Sequence, residues 1–180
     1  MESSTNGKRL VRRSITVNRP IAEVYRFWRE LENLPRYSQN LLSVSVDGLK
    51  SHWVAKSPGG TVEWDSEITD DVQNELLAWR SLPGSEIQNQ GTVKFQAAPG
   101  DRGTEVRVEL IYDVPAGRAG ATLARLFGEE PDQQLRDDLR RFKQVLETGE
   151  VVLSDGSLEG AGQGADKQRP AQPVHRAVRS

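Results

Sequence analysis

Three tryptophans fall in three successive runs of extended sequence: Trp53 in Ser51 to Lys56, Trp64 in Val62 to Ile68, and Trp79 in Glu75 to Ser81. Indole is large, flat and mostly apolar, so three of them on neighbouring strands can floor a pocket for a flat or long apolar molecule by stacking and burial. The same residues can instead fill a core between a sheet and a helix. Arg80 and Tyr112 stand close by as polar groups at positions read as inward. Either could orient a ligand carbonyl, and Tyr112 could serve as a general acid. Trp28, Phe95, Leu126, Phe127, Leu139 and Phe142 complete the candidate ligand contacts.

The remaining chemistry-bearing residues read as surface. His52 adjoins Trp53 and therefore points to the opposite face of its strand. Glu63, Asp65 and Glu67, spaced by two, share the face opposite Trp64, where they suit solubility and cross-strand pairing with Arg or Lys. With no cysteine there are no disulfides, thiolate ligands or Cys nucleophiles, and with only His52 and His175 no multi-histidine site can be built. Neither a metal nor another cofactor is expected.

The 24 Lys and Arg against 26 Asp and Glu leave a net charge of −2, which argues against a nucleic-acid partner, since that binding needs many uncompensated cations. No apolar run approaches the ~20 residues that span a bilayer, and the start is polar and basic without an apolar signal core. A soluble cytoplasmic protein is the expectation.

Every aromatic residue lies between Tyr25 and Phe142, and the last stretch is rich in Gly, Ser, Ala, Gln and Pro. One domain over residues 9–149 is expected, preceded by a flexible start over 1–8 and followed by a disordered tail over 150–180. The tail's Gly160 to Gly164 run lacks the strand and helix that a phosphate loop requires.

The elements follow from periodicity. Leu10 to Asn18 alternates, with Val11, Ile15 and Val17 on one parity. Pro20 suits a first helical turn, and Ile21, Val24, Tyr25, Trp28 and Leu31 recur at helical spacing. Asn33 to Asn40 reads as a loop or second short helix, limited by Pro35. Six strands follow. Asp47-Gly48 is a tight-hairpin signal between the first two, and the next turns are Ser57 to Gly60, Leu82 to Gly84 and Ala98 to Gly103. After Pro115, Ala116 to Phe127 and Pro131 to Glu147 are expected as two helical segments set at an angle by Pro131. Leu135, Leu139, Phe142 and Leu146 form the apolar stripe of the second, and Gly149 ends it.

An α+β fold follows: a curved seven-stranded antiparallel sheet wrapped around a long C-terminal helix, in the order strand, helix, short helix, six strands, helix. Such a grip seldom closes completely. A cavity of about 300 to 1,000 Å³ between sheet and helix is the expectation. Its entrance is placed where Trp28, Leu34, Pro35 and Tyr37 meet the strand loops and the Ala116 to Phe127 segment. That segment would act as a mobile lid, or as a transient membrane contact, if it is not simply packed on the sheet edge.

From about Val11 to Glu150 the chain resembles the SRPBCC, or START-like, superfamily of helix-grip proteins. The resemblance is to its bacterial polyketide cyclase/dehydrase and coenzyme-Q-binding branch. It is carried by Ile15 to Tyr25, Glu32 to Tyr37, Ser51 to Ala55, Val62 to Ile68, Ala78 to Ser81, Gly103 to Val106 and Leu126 to Pro131. The resemblance implies a small hydrophobic ligand, such as a lipid, isoprenoid quinone or polyketide, held between sheet and helix. Its alternative implication is a cyclase/dehydrase acting in the same cavity, with Arg80 or Tyr112 polarising a carbonyl. A protein-interaction module is a third, disfavoured by the near-neutral charge.

Overall fold

A computed structural model describes residues 8–57, 59–113 and 131–149. The order is β1 (Lys8–Val17), α1 (Ile21–Arg29), a 3-10 helix (Leu31–Arg36), β2 (Leu41–Asp47), β3 (Lys50–Ser57), β4 (Gly60–Val72), β5 (Leu76–Ser81), β6 (Asn89–Ala97), β7 (Thr104–Asp113) and α2 (Pro131–Thr148). The strands form one antiparallel sheet in the order β1-β7-β6-β5-β4-β3-β2. This is the helix-grip architecture that the alternation and the closing stripe call for. β1 begins at Lys8, inside the segment expected to be flexible, because Lys8 pairs with Asp113. Ala116 to Phe127, with Leu126 and Phe127, and the segment 150–180 lie outside the described residues.

Alternation sorts the strands as read. On β4, Val62, Trp64, Ser66 and Ile68 are buried, whereas Glu63 and Asp65 are exposed. The outer face is held by cross-strand ion pairs, Arg12 with Glu109 at 2.9 Å and Arg80 with Glu67 at 2.7 Å among them. The β2–β3 hairpin turns on Gly48 and Leu49 instead of Asp47 and Gly48. Gly48 alone takes a positive φ, +62°, the pattern of a type II′ loop, and Asp47 then opposes Lys50, unlike charges on the last rung.

Bulges bend the sheet. The register shifts between Leu41 and Ser43 on β2 and between Ile68 and Asp70 on β4. An extra residue raises local twist and turns the strand. The end of β4 thus reaches α1, where the Tyr25 hydroxyl and the Arg29 guanidinium both donate to Asp71.

α2 is fastened at both ends, to β1 and to the residues that follow it. Arg13 pairs with Asp132 at 3.1 Å at its start. At its finish Arg19 donates to the carbonyls of Leu146 and Glu147 at 2.9 and 2.8 Å, filling acceptors that a helix end leaves open. Lys143 Nζ donates to the Thr16 carbonyl between them. Leu139, Phe142 and Leu146 are buried against the sheet, as the stripe predicts. Trp28 on α1 meets the Phe142 ring edge-on at 4.8 Å. No helix among the described residues is long and apolar enough to cross a membrane.

Candidate functional site

The sheet and α2 do not meet flush. Between them lies a cavity of about 120 Å³, smaller than the range expected from sequence. The grip closes further than that expectation because aromatic rings fill part of the gap: Phe27, Trp28, Tyr37 and Phe142 contact one another with centroids 4.8 to 6.2 Å apart.

All four tryptophans of the chain line this one cavity. Trp53 and Trp64 face each other across β3 and β4, and Trp79 sits on β5 opposite Gly91 of β6. The glycine is what lets Trp79 lie flat, since a Cβ at position 91 would fall 2.1 Å from an indole carbon. Each of the two half-buried indoles has its N–H engaged. Trp53 donates to Ser51 Oγ at 2.8 Å and Trp79 to Asn89 Oδ1 at 3.3 Å. Val108 and Leu110 of β7 and Leu135 and Leu139 of α2 supply further apolar wall. Leu34, Trp53, Trp79 and Leu135 are only half-buried, so the cavity reaches the surface on that side.

One part of the wall is polar. The segment after the 3-10 helix brings Tyr37 and Ser38 against Asp138 of α2, and all three line the cavity. Ser38 Oγ donates to Asp138 at 3.2 Å, Gln134 Nε2 at 2.9 Å and Arg141 at 3.1 Å. Burial pushes the Asp138 carboxyl up to about 7, with Asp137 adding to the rise and Gln134, Ser38 and Arg141 opposing it. Burial, helped by the Asp138 charge, raises the Tyr37 phenol well above 10 and keeps it protonated. The Tyr37 hydroxyl makes no hydrogen bond among the described residues.

The sequence-derived candidates separate on inspection. Trp28, Trp53, Trp64, Trp79 and Leu139 come together around the cavity. Phe95 and Phe142 are buried core, Phe95 packed edge-on against Tyr25 and Trp28, and neither belongs to the wall. Tyr112 is buried on the inner face one step beyond Leu110, outside the lining. Arg80 is a correction: it lies on the outer face, 60% exposed and paired with Glu67, because its neighbour Trp79 takes the inward position. Of the expected entrance, Trp28, Leu34 and Tyr37 line the cavity, whereas Pro35 does not, and Tyr37 is buried wall.

His52 lies on the outer face as read, its ring nitrogens 2.9 Å from Asp65 and 3.3 Å from Glu63. Among the described residues no group of His, Cys, Asp and Glu could hold a metal ion.

Asp138 was missed by the sequence reading although the signal was there. It stands three residues after Leu135 and four before Phe142, on the apolar stripe itself.

Comparisons with known proteins agree with this architecture. Residues 17–140 match the family model described as polyketide cyclase / dehydrase and lipid transport. An uncharacterized 17.2 kDa protein of Streptomyces lincolnensis is 29% identical over 141 residues, covering 76% of this chain and 89% of its own. The crystal structure of DR_A0006 from Deinococcus radiodurans is 43% identical with a TM-score of 0.64, covering 78% of this chain and 98% of its own. The Zhui aromatase/cyclase from Streptomyces sp. R1128 shares the fold at 15% identity and a TM-score of 0.57, over 81% of this chain and 99% of its own.

Proposed function

The chain belongs to the polyketide cyclase/dehydrase and lipid transport family, and on that premise we propose that it binds a small hydrophobic ligand between the sheet and α2. The observation that carries this reading is the convergence of all four tryptophans on one cavity with an almost wholly apolar wall. Removal of apolar area from water, at about 25 cal/mol per Å², supplies the affinity. A cavity of about 120 Å³ holds one ring or a short chain end, so a polyketide, isoprenoid quinone or lipid would insert one end and leave the remainder toward the half-buried side.

Native mass spectrometry of the protein purified from its own host, followed by extraction and identification of bound molecules, tests the reading. Recovery of an unmodified hydrophobic molecule at defined stoichiometry is the expected result. Absence of any adduct, together with no response of the tryptophans to hydrophobic probes, overturns it.

A second reading, ring closure or dehydration of a polyketide in the same cavity, draws on one observation. Asp138 is a carboxyl with a pKa near neutrality set in the wall beside a protonated tyrosine, which suits proton transfer at an enolising carbon. Turnover of a linear polyketide, lost in Asp138→Asn and retained in Arg80→Ala, would establish it. Carriage without turnover leaves the binding reading in place.

A further inference from the structure

The polar patch in the wall is not explained by a wholly apolar cargo. Tyr37 is 3% exposed, yet its hydroxyl has no partner among the described residues. A buried donor left unpaired is costly, and native structures seldom keep one without a use. The groups beside it are different. Ser38, Gln134 and Arg141 each donate to Asp138. Of the polar residues that line the cavity, Tyr37, Ser38, Asn89 and Asp138, Tyr37 is therefore the one whose side chain makes no hydrogen bond among the described residues.

Volume sets the second limit. An apolar cavity of about 150 Å³ takes one benzene, and this one is about 120 Å³. The indole of Trp28 lies beside Tyr37 with ring centroids 5.9 Å apart, and Trp64 and Leu139 line the same cavity.

Resting on the binding reading above, we propose that the ligand enters by a single aromatic ring bearing an oxygen substituent, and that this oxygen accepts a hydrogen bond from the Tyr37 hydroxyl. A phenol or an aryl ketone has this chemistry. The ring packs among the indoles, and whatever is attached to it leaves past Trp53, Trp79 and Leu135.

Phenol and toluene test this directly, being nearly the same shape and differing in the oxygen. Because every tryptophan lines the cavity, intrinsic fluorescence excited at the red edge of indole absorption reports binding of either. In Tyr37→Phe the affinity for phenol should fall about three- to tenfold while that for toluene holds or rises. Tyr112→Phe, which alters a buried tyrosine outside the wall, should leave the phenol-to-toluene ratio as it is. Thermal unfolding without ligand verifies that both variants are folded. An unchanged ratio in Tyr37→Phe, with toluene still bound, overturns the assignment of Tyr37 and spares the cavity reading. Failure of both molecules to perturb the wild-type tryptophans removes the cavity reading, and the assignment with it.

Discussion

The indoles of Trp53 and Trp64 stack with centroids 5.7 Å apart and planes inclined by 19°, from directly opposed positions on β3 and β4. Such a pair contributes about 0.5–1.5 kcal/mol beyond its area burial. Trp64 is the more enclosed, at 6% exposure. Trp64→Ala should therefore cost about 3–5 kcal/mol in urea unfolding, and Trp53→Ala less. A double-mutant cycle should return a coupling of about 1 kcal/mol. Strict additivity would mean that the stacking carries no energy of its own.

Tyr37→Phe should stabilise the unliganded protein. It deletes a buried hydroxyl with no partner among the described residues and keeps the ring that meets Phe142 at 5.2 Å. A gain of up to about 1 kcal/mol is expected, since an unpaired buried donor is penalised by 1–3 kcal/mol and the unfolded chain sets off part of that. A clear loss in denaturant titration would contradict the reading of the hydroxyl as unpaired.

Asp138 gives the protein a pH dependence with a defined sign. Its carboxyl is raised to about 7 in the fold, against about 3.9 in an unfolded chain. Ser38 and Tyr37 face it from across the cavity wall, and Gln134, Asp137 and Arg141 from its own helix. Between the two values the folded chain holds a proton that the unfolded chain has released. This contribution is complete below about pH 4 and is lost as pH rises through about 7, amounting to at most about 4 kcal/mol. Asp138→Asn should consequently gain stability relative to wild type as pH rises across that window. A difference between the two proteins that does not change with pH would rule the shift out.

His52 should titrate above 6.5, because hydrogen bonding to Asp65 comes first among the causes that favour its cation, followed by the charges of Asp65 and Glu63. Asp65→Asn should bring it back toward the ordinary value. NMR titration of the imidazole protons resolves this, His175 providing the other histidine signal. No change in phenol or toluene binding should accompany it, since His52 lies outside the cavity lining.

Arg19→Ala removes both donors that cover the Leu146 and Glu147 carbonyls. A loss of about 1–3 kcal/mol is expected, in the range for hydrogen bonds made by a charged group. Amide exchange should show the last turn of α2 losing protection first. Unaltered exchange there would mean that the remaining contacts, such as the Lys143 bond to Thr16, suffice.

The strand faces were legible because one side of the sheet is wet. Glu63 and Asp65 against Trp64 and Ser66 leave a single consistent orientation. The same rule was available for Arg80, as Trp79 and Arg80 are adjacent and cannot both point inward. Asp138 could also have been found, had the helical stripe been searched for polar residues as well as apolar ones. Phe95 has the right strand parity and Phe142 the right helical face, but both sit beneath α1, and a face says nothing about position along its element. The cavity's size was beyond periodicity altogether. It depends on how four aromatic rings from α1, the segment after it and α2 interlock, a matter of fractions of an ångström.

The contact of Trp79 with Gly91 ties the capacity of the cavity to a residue that does not line it. Any side chain at position 91 would have to lift the indole off the sheet. A methyl group there would act as a shim under the floor, shrinking the chamber from below while every residue of its wall kept its identity. Related chains carrying alanine or larger at this place should accordingly take slimmer guests, a relationship that comparing lining residues alone would never disclose.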